Sequence, residues 1–175
     1  MDWNVVLDAG DVDGGIINVV IEIPMGSHNK VEWNRKLKVF ELDRFEPSIF
    51  PKPANYGFIP QTLDEDGDEL DALVITNDPI PMNVFSKCRV LGVMEFEDDG
   101  EIDDKIICVP ADDRDSGDAY NTLEDLQPQT LKKIAEHFKD YKNLKKPGST
   151  IVKGFAGIER AKEIIKLAQK RWKDQ

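Results

Sequence analysis

Asp66-Gly67-Asp68-Glu69-Leu70-Asp71-Ala72-Leu73-Val74-Ile75-Thr76 is an acidic glycine turn that runs into an almost continuously apolar stretch. A short run of this kind, rich in branched residues, reads as a strand buried on both faces. Asp71 stands inside it, so a carboxylate heads a buried strand. A buried charge is costly unless it is paired or bound to metal. The turn brings positions i, i+2 and i+5 together, so Asp66, Asp68 and Asp71 are expected to converge. Converging carboxylates repel each other unless a cation sits between them.

Other strands lie on both sides. IINVVIEI (16–23) is a β-branched run ended by Pro24, and LKVFEL (37–42) alternates. Residues 84–96 and 105–109 continue the pattern. Asp13-Gly14-Gly15, Pro51-Lys52-Pro53 and Asp98-Asp99-Gly100 punctuate it as turns. The last third is helical. Leu131, Ile134, Ala135 and Phe138 repeat at helical spacing, with Pro128 suited to the first turn. Ala161, Ile164, Ile165, Ala168 and Trp172 repeat likewise after Gly157, and Pro147-Gly148-Ser149-Thr150 is expected to link the two helices. Many short strands followed by two helices predict a mainly β fold with packed helices, its sheet small and closed. One domain over residues 1–175 is the expectation. Area scaling gives such a chain a folded surface of roughly 8,600 Å².

Composition narrows the function. Thirty-four Asp and Glu against 23 Lys and Arg give a net charge of −11. Nucleic acid and anionic membrane surfaces need a cationic face, which no Lys/Arg run here supplies. No stretch approaches the roughly 18 apolar residues of a spanning helix. The N-terminus carries an acid where a signal peptide is basic, so a cytoplasmic, unprocessed chain is expected. Cys88 and Cys108 each adjoin an apolar run and read as buried, reduced thiols. With only His28 and His137 available, a zinc site has no ligands to draw on.

The acidic turn fails the calcium-loop pattern. With Gly67 at position six, Leu73 falls where the bidentate Glu belongs. Carboxylates without His or Cys favour a hard ion, Mg²⁺ or Mn²⁺. Asp98 and Asp103 bracket a second glycine turn, and Lys105 opens the strand after it. Lys30 and Glu32 share one strand face, Arg44 follows the alternating strand, and Tyr141-Lys142 end the first long helix. Phosphate-loop, dinucleotide, zinc-protease and serine-nucleophile motifs are all missing.

Asp66-Gly67-Asp68-Glu69-Leu70-Asp71-Ala72 resembles the signature of the soluble (family I) inorganic pyrophosphatases, short prokaryotic type. The likeness extends from about Ile21 to Lys142, through Glu22-Ile23-Pro24, Lys30-Val31-Glu32, Asp43-Arg44, Asn55-Tyr56-Gly57, residues 98–105 and Tyr141-Lys142. Val31 stands where the family often has an aromatic residue. Residues 147–150 replace a Gly-Lys-Trp stretch, so no role is carried over there.

The resemblance implies an OB-like five-stranded β-barrel flanked by two C-terminal α-helices. It implies a homohexamer that hydrolyses pyrophosphate with several Mg²⁺ ions, Mn²⁺ or Zn²⁺ being substitutes. Asp66, Asp71, Asp98, Asp103 and Glu32 would hold metal. Asp68 would take the proton from a metal-bridging water that attacks in line. Lys30, Arg44, Tyr56, Lys105, Tyr141 and Lys142 would hold the phosphates. Two other readings compete. A non-catalytic acidic OB-like module that binds divalent metal or a protein explains the acid but not the cations beside it. A sugar-nucleotide transferase using Asp66-Gly67-Asp68 lacks room for its nucleotide domain.

Overall fold

A computed structural model describes all 175 residues. It exposes 8,837 Å², close to the area expected from length. Its elements begin with a short helix, α1 (Trp3–Val6), then β1 (Gly10–Asp11), β2 (Ile16–Ile23), β3 (Asn29–Asn34), β4 (Val39–Phe45), β5 (Asn55–Phe58), β6 (Asp71–Val74), β7 (Phe85–Asp98), β8 (Glu101–Ile102) and β9 (Lys105–Pro110). Helix α2 (Pro128–Asp140), strand β10 (Thr150–Ala156) and helix α3 (Ile158–Lys173) complete the chain.

Five strands make a ring. β2 pairs with β5, β5 with β6, β6 with β9, β9 with β7, and β7 returns to β2. This is the closed sheet expected from the sequence, with no free edge along the ring. The β6–β9 pair is parallel, and it sets Asp71 opposite Lys105. β3 and β4 form a separate hairpin. Gly57 marks a close crossing: a Cβ there would lie 2.0 Å from the Val20 carbonyl oxygen.

Alternation along β6 and β9 feeds two cores. Ala72, Val74, Ile106 and Cys108 enter the one that receives Ala161, Ile164, Ile165 and Ala168 of α3. Leu73, Ile107 and Val109 enter the other, with Ile134 and Phe138 of α2. Both faces of these strands are buried, so their sequences are apolar without a break. Asp71 and Lys105 share the parity of Leu73 and Ile107, which points them to the α2 side.

Several elements differ from the expectation. The alternating strand begins two residues later than its sequence pattern, because residues 35–38 form the hairpin turn, with Lys38 at φ 59°. Leu37 is exposed there. The link between the helices contains β10, which pairs with the long strand β7. Its sequence, TIVKGFA, has a bulge at Gly154 that interrupts the period. The helices start as expected, at Pro128 and after Gly157. In α3, Glu159 in the first turn and Lys170, Arg171 and Lys173 in the last complement the helix dipole.

Candidate active site

A cleft of about 230 Å³ opens on the α2 side of the ring. All eleven residues singled out from sequence besides Lys105 line it: Lys30, Glu32, Arg44, Tyr56, Asp66, Asp68, Asp71, Asp98, Asp103, Tyr141 and Lys142. Lys105 lies beneath, 1% exposed. Glu22, Lys52 and Glu69 also line the cleft, though their sequence carried no assigned role. Eight carboxylates thus face four cations across its wall.

The head of the parallel pair organises the floor. Lys105 Nζ donates to Asp71 Oδ2 at 2.6 Å and also to Asp103 Oδ1. Tyr56 donates its hydroxyl to Asp71 Oδ2. Lys105 thus stands between Asp71 and Asp103, whereas the sequence expects a cation among Asp66, Asp68 and Asp71. Burial works against the charged carboxylate of Asp71, but Lys105 and Lys30 outweigh it and hold its pKa low. Burial leaves Asp103 raised despite Lys105. Lys105 is pulled down by burial, yet Asp103 and Asp71 lift it above its ordinary value.

The walls follow the same pairing rule. Lys30 contacts Glu32 at 3.0 Å on β3. Arg44 on β4 reaches Asp43 and, at 2.9 Å, Glu46. Lys142, just past α2, pairs with Asp98 at the end of β7. Asp66 Oδ1 caps the turn by accepting from the Asp68 amide at 3.0 Å. Asp68 is different: its side chain is 81% exposed, and its nearest cation is Arg35 at 3.9 Å. Partial desolvation, with Glu69 adding repulsion, raises its pKa. Glu22 is buried, accepts from the Trp33 amide at 2.6 Å, and is pushed by burial up to about 8.

Lys52 lines the cleft floor, and His137 lies behind it. Burial, with Lys30 adding repulsion, pulls Lys52 down to about 7. His137 on α2 stacks on Tyr141 and meets Phe138 edge-on. Its Nε2 is buried without a partner. Burial, then Lys52, pulls its pKa down to about 3. An unfolded histidine takes a proton near its ordinary 6.5, and the folded one does not until far lower. Stability should therefore be lost as pH falls from 6.5 toward 3, at up to about 1.4 kcal/mol per pH unit. His137→Phe keeps the ring contacts and should flatten that slope. Urea midpoints between pH 6 and 4 measure it; an unchanged slope would show that another group titrates there.

No three His, Cys, Asp or Glu side chains stand close enough to grip a metal ion as they are. The donor set nevertheless suits a hard divalent cation. It is all oxygen, it outnumbers the cations, and Asp98 Oδ1 is buried without any hydrogen-bond partner.

The family model described as Inorganic pyrophosphatase matches residues 19–173. The chain belongs to the inorganic pyrophosphatase family. It is 62% identical to the inorganic pyrophosphatase of Neisseria meningitidis serogroup A, over 99% of this chain and 98% of that one. The Haemophilus influenzae protein of the same name is also 62% identical, with 99% of each chain covered. A crystal structure of an inorganic pyrophosphatase from Neisseria gonorrhoeae superposes with a TM-score of 0.97 at 62% identity, covering 98% of this chain and 99% of the other. The Thermus thermophilus enzyme gives 0.88 at 36% identity, covering 95% and 97%. The sequence resemblance and the fold it implied thus agree with the family.

Sequence reading passed over Lys52 and Glu22 for different reasons. Lys52 stood inside a Pro-Lys-Pro turn signal, where a charge looks like solvent-facing loop. Glu22 lay within a strand whose other residues are apolar. That second pattern was a usable signal, since a lone acid in a buried strand needs a partner.

Proposed function

We propose that this chain, as one domain over residues 1–175, hydrolyses inorganic pyrophosphate to two phosphates with the help of Mg²⁺. The observation that carries the reading is the single cleft in which a surplus of carboxylates faces Lys30, Arg44 and Lys142, in a chain of this family. Asp66, Asp71, Asp98, Asp103 and Glu32 are the residues that would hold several Mg²⁺ ions, with Mn²⁺ or Zn²⁺ as substitutes. Bound divalent metal supplies positive charge for the phosphates and lowers the pKa of water toward neutrality.

The chain's own residues do the rest. Asp68, exposed and without a close partner, takes the proton from the attacking water. Lys30, Arg44, Tyr56, Lys105, Tyr141 and Lys142 hold phosphate oxygens and steady the charge on the leaving phosphate. Ion pairs inside the cleft make this an exchange of partners. A carboxylate engaged elsewhere releases Lys105 or Lys142 to a phosphate oxygen.

We also propose a cytoplasmic homo-oligomer, a hexamer by resemblance. No helix is long and apolar enough to cross a membrane. Cys88 and Cys108 are free and buried, which suits a reducing compartment. Exposed Met82, Val84 and Phe85 offer an apolar edge for subunit contact.

A phosphate-release assay with pyrophosphate and Mg²⁺ tests the activity. The protein should turn over pyrophosphate strongly in preference to ATP, because the cleft has no feature for a base or ribose. Excess chelator should abolish the activity. Equal turnover of ATP, or full activity in chelator, would overturn the reading.

A further inference from the structure

Lys52 is the exception among the cleft's cations. Lys30, Arg44, Lys105 and Lys142 each have a carboxylate partner. Lys52 forms no ion pair within 4.0 Å and no side-chain hydrogen bond, although the residue is 4% exposed. What surrounds it is aromatic. Its Nζ lies 4.9 Å from the Tyr56 ring centroid, 5.0 Å from that of Tyr141 and 5.3 Å from that of Phe138. Such contacts attract a cation but replace only part of its lost hydration. Crowding adds to the cost. Lys30 and Lys105 also stand over Tyr56, at 5.1 and 5.6 Å, so three ammonium groups ring one phenol.

The backbone holds this lysine in place. Pro51 and Pro53 flank it, and a residue before proline is confined to extended conformations. Its N–H donates to the Ser27 carbonyl at 2.8 Å, and its own carbonyl accepts from the Gly26 N–H at 2.9 Å. A side chain aimed so firmly into a polar cleft, with no anion of its own, is preorganised for one that arrives.

We propose that Lys52 binds a phosphate oxygen of pyrophosphate, and of the phosphate product, as a further substrate-binding residue of this site. The proposal rests on the pyrophosphatase reading and extends its list of phosphate contacts. The incoming anion would give Lys52 the partner it lacks and offset the repulsion among the three ammonium groups. The aromatic wall would keep water from competing for the contact.

The test compares wild type with Lys52→Met, which keeps the length and the apolar stem, and with Lys52→Arg, which keeps the charge. Inorganic phosphate is the binding probe, titrated calorimetrically in the presence of Mg²⁺, and pyrophosphate is the kinetic one. A charged hydrogen bond lost from a buried site corresponds to roughly 10- to 100-fold. Lys52→Met should raise the Kd for phosphate and the KM for pyrophosphate by about that factor. Lys52→Arg should restore part of the loss. The melting temperature of unliganded Lys52→Met should stay level or rise, since a buried unpaired charge is gone.

Unchanged phosphate affinity and KM in Lys52→Met would overturn the proposal. So would a fall in melting temperature with equal loss of binding in both variants, which marks a structural cation. If Lys52→Met does not fold, Lys52→Gln carries the same comparison. Wild type that binds phosphate through Lys52 but does not hydrolyse pyrophosphate would sink the activity reading and leave the anion site standing.

Discussion

Asp68→Asn should slow the single-turnover hydrolysis of pyrophosphate by roughly 10²- to 10⁴-fold, the range that general-base help supplies. The cleft shows why this carboxylate is the one to bet on. Asp71, Asp98, Asp103 and Glu32 each accept from a lysine, and Asp66 caps its own turn. Asp68 is mostly exposed, has no cation closer than 3.9 Å and, unlike Asp66, accepts no hydrogen bond. Its pKa is raised, which makes it a stronger base than an ordinary aspartate. The substitution preserves shape, so Mg²⁺ and substrate affinities should change much less than the rate. The acidic limb of the pH–rate profile should also move, because the titrating carboxylate is gone. A fall of less than about tenfold in single-turnover rate would remove Asp68 from the base role. Binding that weakens in step with rate would make it an orienting group instead.

Asp71→Ala should have the second large effect, on two separate readouts. If Asp71 is a shared metal ligand, Mg²⁺ affinity and activity should both fall severely. Calorimetric titration showing unchanged Mg²⁺ binding would rule that out. Stability is the other readout. Convergent carboxylates alone suggest that removing one relieves repulsion. The ion pairs reverse that sign: Lys105 is 1% exposed, and Asp71 is one of its two anions, as well as the acceptor for Tyr56. Removing one partner of a buried pair costs about 3–5 kcal/mol when the charge is left alone. Asp103 remains, so the loss should fall below that range.

The pH dependence of that loss has a definite sign. The folded pKa of Asp71 is depressed below its ordinary 3.8. Its contribution is present above that value and fades as pH drops through the folded pKa. The gap between wild type and Asp71→Ala in urea denaturation should therefore narrow in strong acid. A gap that holds constant there would place the loss in packing rather than charge.

How much of this was legible depended on which physical signal each residue carried. The ring could be read because β2 and β9 spell apolar runs, and α2 and α3 repeat at helical spacing. β10 was hidden by the bulge at Gly154, and β3, whose mixed polar sequence buries only Trp33, was legible only through the shared face of Lys30 and Glu32. Of the site, the acidic residues announced themselves by clustering along the chain. Sequence pointed to a cation among Asp66, Asp68 and Asp71, whereas the structure sets one between Asp71 and Asp103. Sequence did not show that Lys105 would be that cation, since the contact joins residues 34 apart through a parallel pair. Lys52 was invisible for a similar reason. Nothing in a Pro-Lys-Pro turn says that three aromatic rings close around it.

The parallel alignment of β6 and β9 also ties assembly of the site to the folding route. β6 and β9 are separated in sequence by the whole of β7, which itself pairs with β9. Loop closure over that span is entropically slow, and parallel pairing cannot begin from a hairpin. A slip of one residue would turn Lys105 to the opposite face, away from Asp71. The lysine would then be buried on the face lined by Ala72, Val74 and the apolar side of α3, with no anion in reach. Misaligned intermediates thus carry an electrostatic penalty that the native alignment avoids. The same three charges that shape the cleft act, during folding, as a proofreading device for the ring.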